Sequence, residues 1–135
     1  MELIAITQEC ADDFRTVASR VRSMHLRNCL LLCADQREFF AERLRQHSVR
    51  YNPEVEHLQA WRELGRAWQT RRVAPIEMGD VALFERLAHE DRLADQFYQL
   101  ALEGLERTDP VAALIQAQRH SVSEDECEVR QLLEE

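Results

Sequence analysis

Apolar residues recur along this chain in steps of three and four, the spacing that lines one face of an α-helix. A first helix is predicted over 4–22, with the stripe Leu3, Ile6, Cys10, Phe14, Val17 and Val21. A second, over 24–50, carries Leu26, Leu30, Cys33, Arg37, Phe40, Leu44 and His47 in the same rhythm, so two polar residues sit in an otherwise apolar face. A shorter helix over 53–71 gathers Val55, Leu58, Trp61, Leu64 and Trp68 on one side. The third long helix, 80–106, is read from Phe84, Leu87, Asp91, Ala94, Tyr98, Ala101 and Leu105, and the fourth, 110–134, from Val111, Ile115, Gln118, Val122, Asp125, Val129 and Leu132.

The punctuation between these stripes supports the division. Ser23 and Asp80 are good N-caps, and Asn52-Pro53 and Asp109-Pro110 pair a capping side chain with the residue best suited to a first helical turn. Gly104 and Thr108 close the third long helix, and a polar, Pro-containing run from Arg71 to Gly79 closes the short one. Helices one and two, and three and four, are joined by only a few residues, so each pair must fold back as an antiparallel hairpin. The predicted architecture is one all-α domain over 1–135: an antiparallel up-down four-helix bundle with a short additional crossing helix, about 53–71, between helices two and three.

Composition changes this picture little. The chain has 135 residues, three Gly, three Pro and 45% hydrophobic residues, enough for one core and poor in the turn signals an all-β fold needs. The net charge of −8 argues against a nucleic-acid surface, which needs a basic stripe. Arg71-Arg72, beside Arg66, is the only local basic pair and reads as a flexible charged connector. No stretch approaches a membrane span, and the residues from Met1 to Gln8 lack the pattern of a signal peptide, so a cytoplasmic protein with no membrane partner is expected. Cys10, Cys29, Cys33 and Cys127 form no CxxC pair, and Cys10, Cys29 and Cys33, among apolar residues, read as small hydrophobes rather than a zinc site.

Several short runs carry a family resemblance. Ser23-Met24-His25-Leu26, then Ala34-Asp35-Gln36-Arg37-Glu38-Phe39-Phe40-Ala41, then His89-Glu90-Asp91, the Trp61 segment, and the Asp109-Pro110 start of a helix bearing Gln118 together resemble an uncharacterised bacterial family of the ferritin-like superfamily. The resemblance implies a ferritin-like bundle with a linking helix. Met24 stands where that pattern has Pro, Gln36 where it has an acid, and Glu126 near a usual His.

A ferritin-type di-iron centre takes a Glu from each of two helices and Glu-x-x-His from each of two others. The only Glu-x-x-His here is Glu54 to His57, on the short helix. Neither a nucleophile elbow nor a phosphate-cradling loop occurs, and the histidines His25, His47, His57, His89 and His120 are scattered over all five segments. Arg37, at the middle of an inner face, is always charged and must find a buried carboxylate, for which Asp91 or Glu90 is placed. The expected centre of the bundle is therefore a polar layer of Arg37, Glu90, Asp91 and Gln118 that fixes helix register.

The function expected from the sequence is non-catalytic, acting through self-association as a homodimer or through a protein partner, with Trp61 and Trp68 either clamping the short helix or forming an exposed contact patch. The alternative is a ferritin-like iron- or manganese-binding protein with a reduced set of ligands drawn from Asp13, Glu90, Asp91 and Glu126.

Overall fold

A computed structural model of the chain describes residues 2–47, 53–71 and 78–134, with the side chains of 53 and 54 excepted. Five α-helices and one 3-10 turn make up the described residues: α1 (Leu3–Ala18), α2 (Met24–Gln46), the 3-10 turn (Pro53–His57), α3 (Gln59–Thr70), α4 (Asp80–Glu103) and α5 (Pro110–Glu134). The predicted short helix is thus split. Leu58 is extended, with ψ of 141°, and separates the 3-10 turn from α3.

The capping signals act in two ways. Ser23 accepts the Leu26 N–H at 3.2 Å, and Asp109 accepts the Val111 N–H at 2.9 Å, so both satisfy helix donors that lack an intrahelical partner. Asp80 behaves differently from the expectation. Gly79 is the N-cap of α4, and the Asp80 carboxylate instead receives the backbone N–H groups of Arg22 and Ser23 at 2.8 and 3.0 Å. It ties the start of α4 to the connection between α1 and α2. Asn52 lies outside the described residues.

Each long helix touches two others: α1 packs on α2 and α4, and α5 packs on α2 and α4. The long helices thus close a ring in the order α1, α2, α5, α4, and α3 lies against α4. Two apolar clusters fill the ring. One, at the α3 level, contains Leu3, Ile6, Leu44, Phe97 and Ile115 with both tryptophans. The other contains Phe14, Leu26, Leu30, Phe84, Leu87 and Val129. Nearly all stripe positions read from the sequence are buried or half-buried, with Leu58 and His47 the exceptions, both exposed. His47 is the C-cap residue of α2 and Leu58 is the N-cap of α3, so both stand at helix ends, where the period no longer dictates which way a side chain faces.

Trp61 and Trp68 are 2% and 0% exposed, which rules out the contact-patch reading of this pair. Both meet Phe97 of α4 edge-on, with ring centroids 4.9 and 6.2 Å away. The seven-residue spacing puts the two indoles two turns apart on the same side of α3, and burying them is what holds that short helix to the core.

Candidate functional site

Two guanidinium groups organise the buried acids. Arg37, on the core face of α2, grips Asp91 of α4 at two points, Nε to Oδ1 at 3.3 Å and Nη2 to Oδ2 at 2.7 Å. Its Nη1 donates to the Cys33 carbonyl at 3.1 Å and stands 3.6 Å from Asp125 Oδ2 on α5. The Phe14 ring lies 4.0 Å from the guanidinium carbon, so α1 contributes a cation–π face. Four helices therefore meet on one cation. Burial alone would lower the Arg37 pKa, but the Asp91 carboxylate more than offsets it and the net shift is upward. Burial pushes Asp91 up, and Arg37 pulls it back. The guanidinium is permanently charged and bidentate on this carboxyl, which favours the carboxylate form and an ionic pair.

Gln118 completes this layer on α5, donating to the Phe40 carbonyl at 3.2 Å. Its Oε1 has no hydrogen-bond partner among the described residues. A second buried polar contact, missed by the periodicity argument, joins Thr7 and Tyr98 through their hydroxyls at 2.6 Å.

The second cation is Arg71, the C-cap residue of α3. It is no flexible charged connector: its side chain is 4% exposed. Nε donates to Glu90 at 3.0 Å and to Asp13 at 3.2 Å, Nη2 lies 3.3 Å from Glu9, and Nη1 donates to the Trp68 carbonyl at 2.7 Å. The guanidinium also covers the Trp68 ring, 3.9 Å from its centroid, while the indole N–H donates to Glu9 at 3.3 Å. Arg72 lies outside the described residues.

Glu90 is the most altered acid in this cluster. Burial, then the hydrogen bond and negative charge of Asp13, raise its pKa to about 9, with Arg71 acting in the opposite sense. At neutral pH it is a carboxylic acid that donates to Asp13 and accepts from Arg71.

The four candidate metal ligands are thus distributed over several arginines. Asp13 and Glu90 share Arg71, Asp91 belongs to Arg37, and Glu126 on α5 is held by Arg92 and Arg130 at 3.1 and 2.8 Å. Among the described residues no group of three or more His, Cys, Asp or Glu is disposed to hold a metal ion. The Cys33 thiol, pushed up to about 12 chiefly by burial, stays protonated and is a poor ligand.

Two clefts flank these clusters. One of about 970 Å³ opens beside Arg71, with Val17, Leu83 and Leu87 on its floor and Arg20, Arg86 and His89 at its edge. The chain from 72 to 77, between Arg71 and Met78 on its wall, lies outside the described residues. The other, about 480 Å³, runs between α2 and α5 past His25, Cys29, Leu32 and Leu132. No helix among the described residues is long and apolar enough to cross a membrane. No family model, curated protein or solved structure matches this chain.

Proposed function

We propose that this chain is a non-catalytic helical protein, an antiparallel four-helix bundle of the ferritin-like kind, that acts by association through the outer face of α2. The observation that carries the reading is an exposed apolar stripe. Met24, Leu31, Leu32 and Phe39 are 66%, 39%, 70% and 60% exposed. They fall within one narrow arc of α2, opposite the core-facing Leu30, Cys33, Arg37 and Leu44. Four large apolar side chains concentrated on one helix face mark a contact surface. The buried chemistry points the same way: Arg37 and Arg71 neutralise the acids that would otherwise serve as base or metal ligand.

Sedimentation velocity over a concentration series tests this. The wild-type chain should show a concentration-dependent shift to a larger species, and Leu32→Asp and Phe39→Asp should abolish it while leaving the helical circular dichroism intact. A wild-type chain that sediments as a monomer throughout, and captures no partner that Leu32→Asp fails to capture, would overturn the proposal.

A second reading is a ferritin-like iron- or manganese-binding protein with a reduced ligand set drawn from Asp13, Glu90, Asp91 and Glu126, of which Asp13 and Glu90 come together on Arg71. A divalent cation would have to displace Arg71. Metal analysis after anaerobic loading decides it: stoichiometric metal that is lost in Asp13→Asn would support this reading, and absence of stoichiometric metal would end it.

A further inference from the structure

We infer that the partner of the α2 face is a second copy of the same chain, docked with the two α2 helices antiparallel about a two-fold axis near Leu31 and Leu32. This rests on the association reading above and commits it to one occupant and one geometry.

The first argument is the order of residues along the stripe. In an antiparallel pair of helices, residues at the same level have numbers that add to a constant. A constant of about 63 sets Met24 against Phe39 of the second copy, Leu31 against its Leu32, and Asn28 against its Asp35. Every large apolar residue of the stripe then meets another, and the polar pair between them meets as a hydrogen-bonding couple. The stripe is its own complement when reversed, which a two-fold contact requires. At 1.5 Å per residue, Met24 and Phe39 are about 22 Å apart along the axis, long enough for a continuous helix–helix seam.

The second argument is charge. At the N-terminal end of the stripe Arg22 and His25 are exposed and residues 20–28 contain no acid, while Arg27 directs its guanidinium to the Ala18 and Val21 carbonyls and Arg20 lines the cleft beside Arg71. Residues 35–42 expose Asp35, Glu38 and Glu42, while their one cation, Arg37, is buried. Within one copy, Arg15 reaches Asp35 and Glu38, and Arg45 reaches Glu42, but all three acids remain more than half exposed, at 72%, 53% and 51%. Antiparallel docking brings the basic end of each stripe to the acidic end of the other. Parallel docking would set like charges side by side. Rim charges of this kind select orientation more than they add affinity.

Cysteine cross-linking separates the geometry from the association itself. In a Cys29→Ser, Cys127→Ser background, which leaves only the buried Cys10 and Cys33, Asn28→Cys and Asp35→Cys are made as separate chains that keep the apolar stripe whole. Mixed under mild oxidation, they should form a 28–35 disulfide between copies. Either chain alone should cross-link at least tenfold less, because identical positions lie about seven residues, or ~10 Å, apart along the axis. Efficient 28–28 and 35–35 cross-links would overturn the antiparallel arrangement and leave association standing. A chain that sediments as a dimer yet cross-links in none of these combinations would place the contact elsewhere. A strictly monomeric chain with no cross-link would remove the second copy as the occupant, and capture of a different protein lost in Leu32→Asp would put that partner in its place.

Discussion

Arg37 and Arg71 solve the same problem in two settings. Each is a guanidinium whose side chain is almost wholly out of solvent, each has an aromatic ring against one face, and each gathers carboxyl groups from helices distant in sequence. Arg37 sits mid-helix, and its main partner Asp91 is 9% exposed. Arg71 sits at a helix end, and two of its three acids, Glu9 and Asp13, are 24% and 28% exposed. In the first setting the partner cannot hydrate if the cation is lost, so the pair is obligatory. In the second, Glu9 and Asp13 keep contact with water, while Glu90, at 9% as buried as Asp91, has already taken a proton. The lesson is that the same ion-pair chemistry becomes a register lock or an adjustable clamp according to how much solvent reaches the acids.

The comparison is open to measurement, and its largest effect should come from Arg37. Arg37→Met strands Asp91 in the core and should cost about 3–5 kcal/mol in urea unfolding, whereas Arg37→Met combined with Asp91→Leu should recover most of that loss. A single variant that unfolds within about 1 kcal/mol of wild type would show that the buried pair is not obligatory.

Arg71→Met should cost less, about 1–3 kcal/mol at neutral pH, because Glu9 and Asp13 can rehydrate. A penalty equal to that of Arg37→Met would erase the distinction between the two sites.

Glu90 gives the clamp a titration of its own. Its folded-state pKa lies near 9, well above the ordinary carboxyl value, so the folded chain holds a proton that the unfolded chain releases. The stability this contributes is fully present below the ordinary Glu pKa, declines as pH rises above it, and is gone once pH has passed through about 9. Glu90→Gln mimics the protonated acid: its carbonyl can accept from Arg71 and its amide can donate to Asp13. Urea midpoints measured from neutral to alkaline pH should therefore fall for wild type and stay flatter for the Gln variant. Parallel curves would mean that Glu90 is ionised in the folded chain.

The smallest effect on stability should come from the outer face of α2. Phe39→Asp removes no core contact and should leave the unfolding free energy within about 0.5 kcal/mol, measured on the monomer at low concentration. A loss of several kcal/mol would show that Phe39 supports the fold rather than a contact between chains.

Arg37 and Asp91 were legible beforehand because both fall in the three-and-four rhythm of their helices, and a helix in mid-course leaves a stripe residue only one direction to face. Gln118 was legible for the same reason. Arg71 was not. It stands one residue past Thr70, where α3 ends, and a position without helical neighbours on both sides carries no phase to read. The two tryptophans were placed on the correct side of α3, but whether that side was covered depended on Phe97, which is remote in sequence. The partition of Asp13, Glu90, Asp91 and Glu126 among several arginines was equally out of reach, since each arginine comes from a helix other than its acid's, apart from the Arg130–Glu126 pair within α5.

What the sequence determined by itself was local: five helical segments, two of the caps, and the face each long helix turns inward. These follow from backbone geometry and burial of apolar area, which act between residues three or four apart. Tertiary structure alone decided which carboxylate each guanidinium holds, that Asp80 fastens another connection rather than its own helix, and that the uncovered apolar surface lies on α2 and not on α3. Those outcomes are set by distances between helices, and a linear pattern contains no information about such distances until the helices have packed.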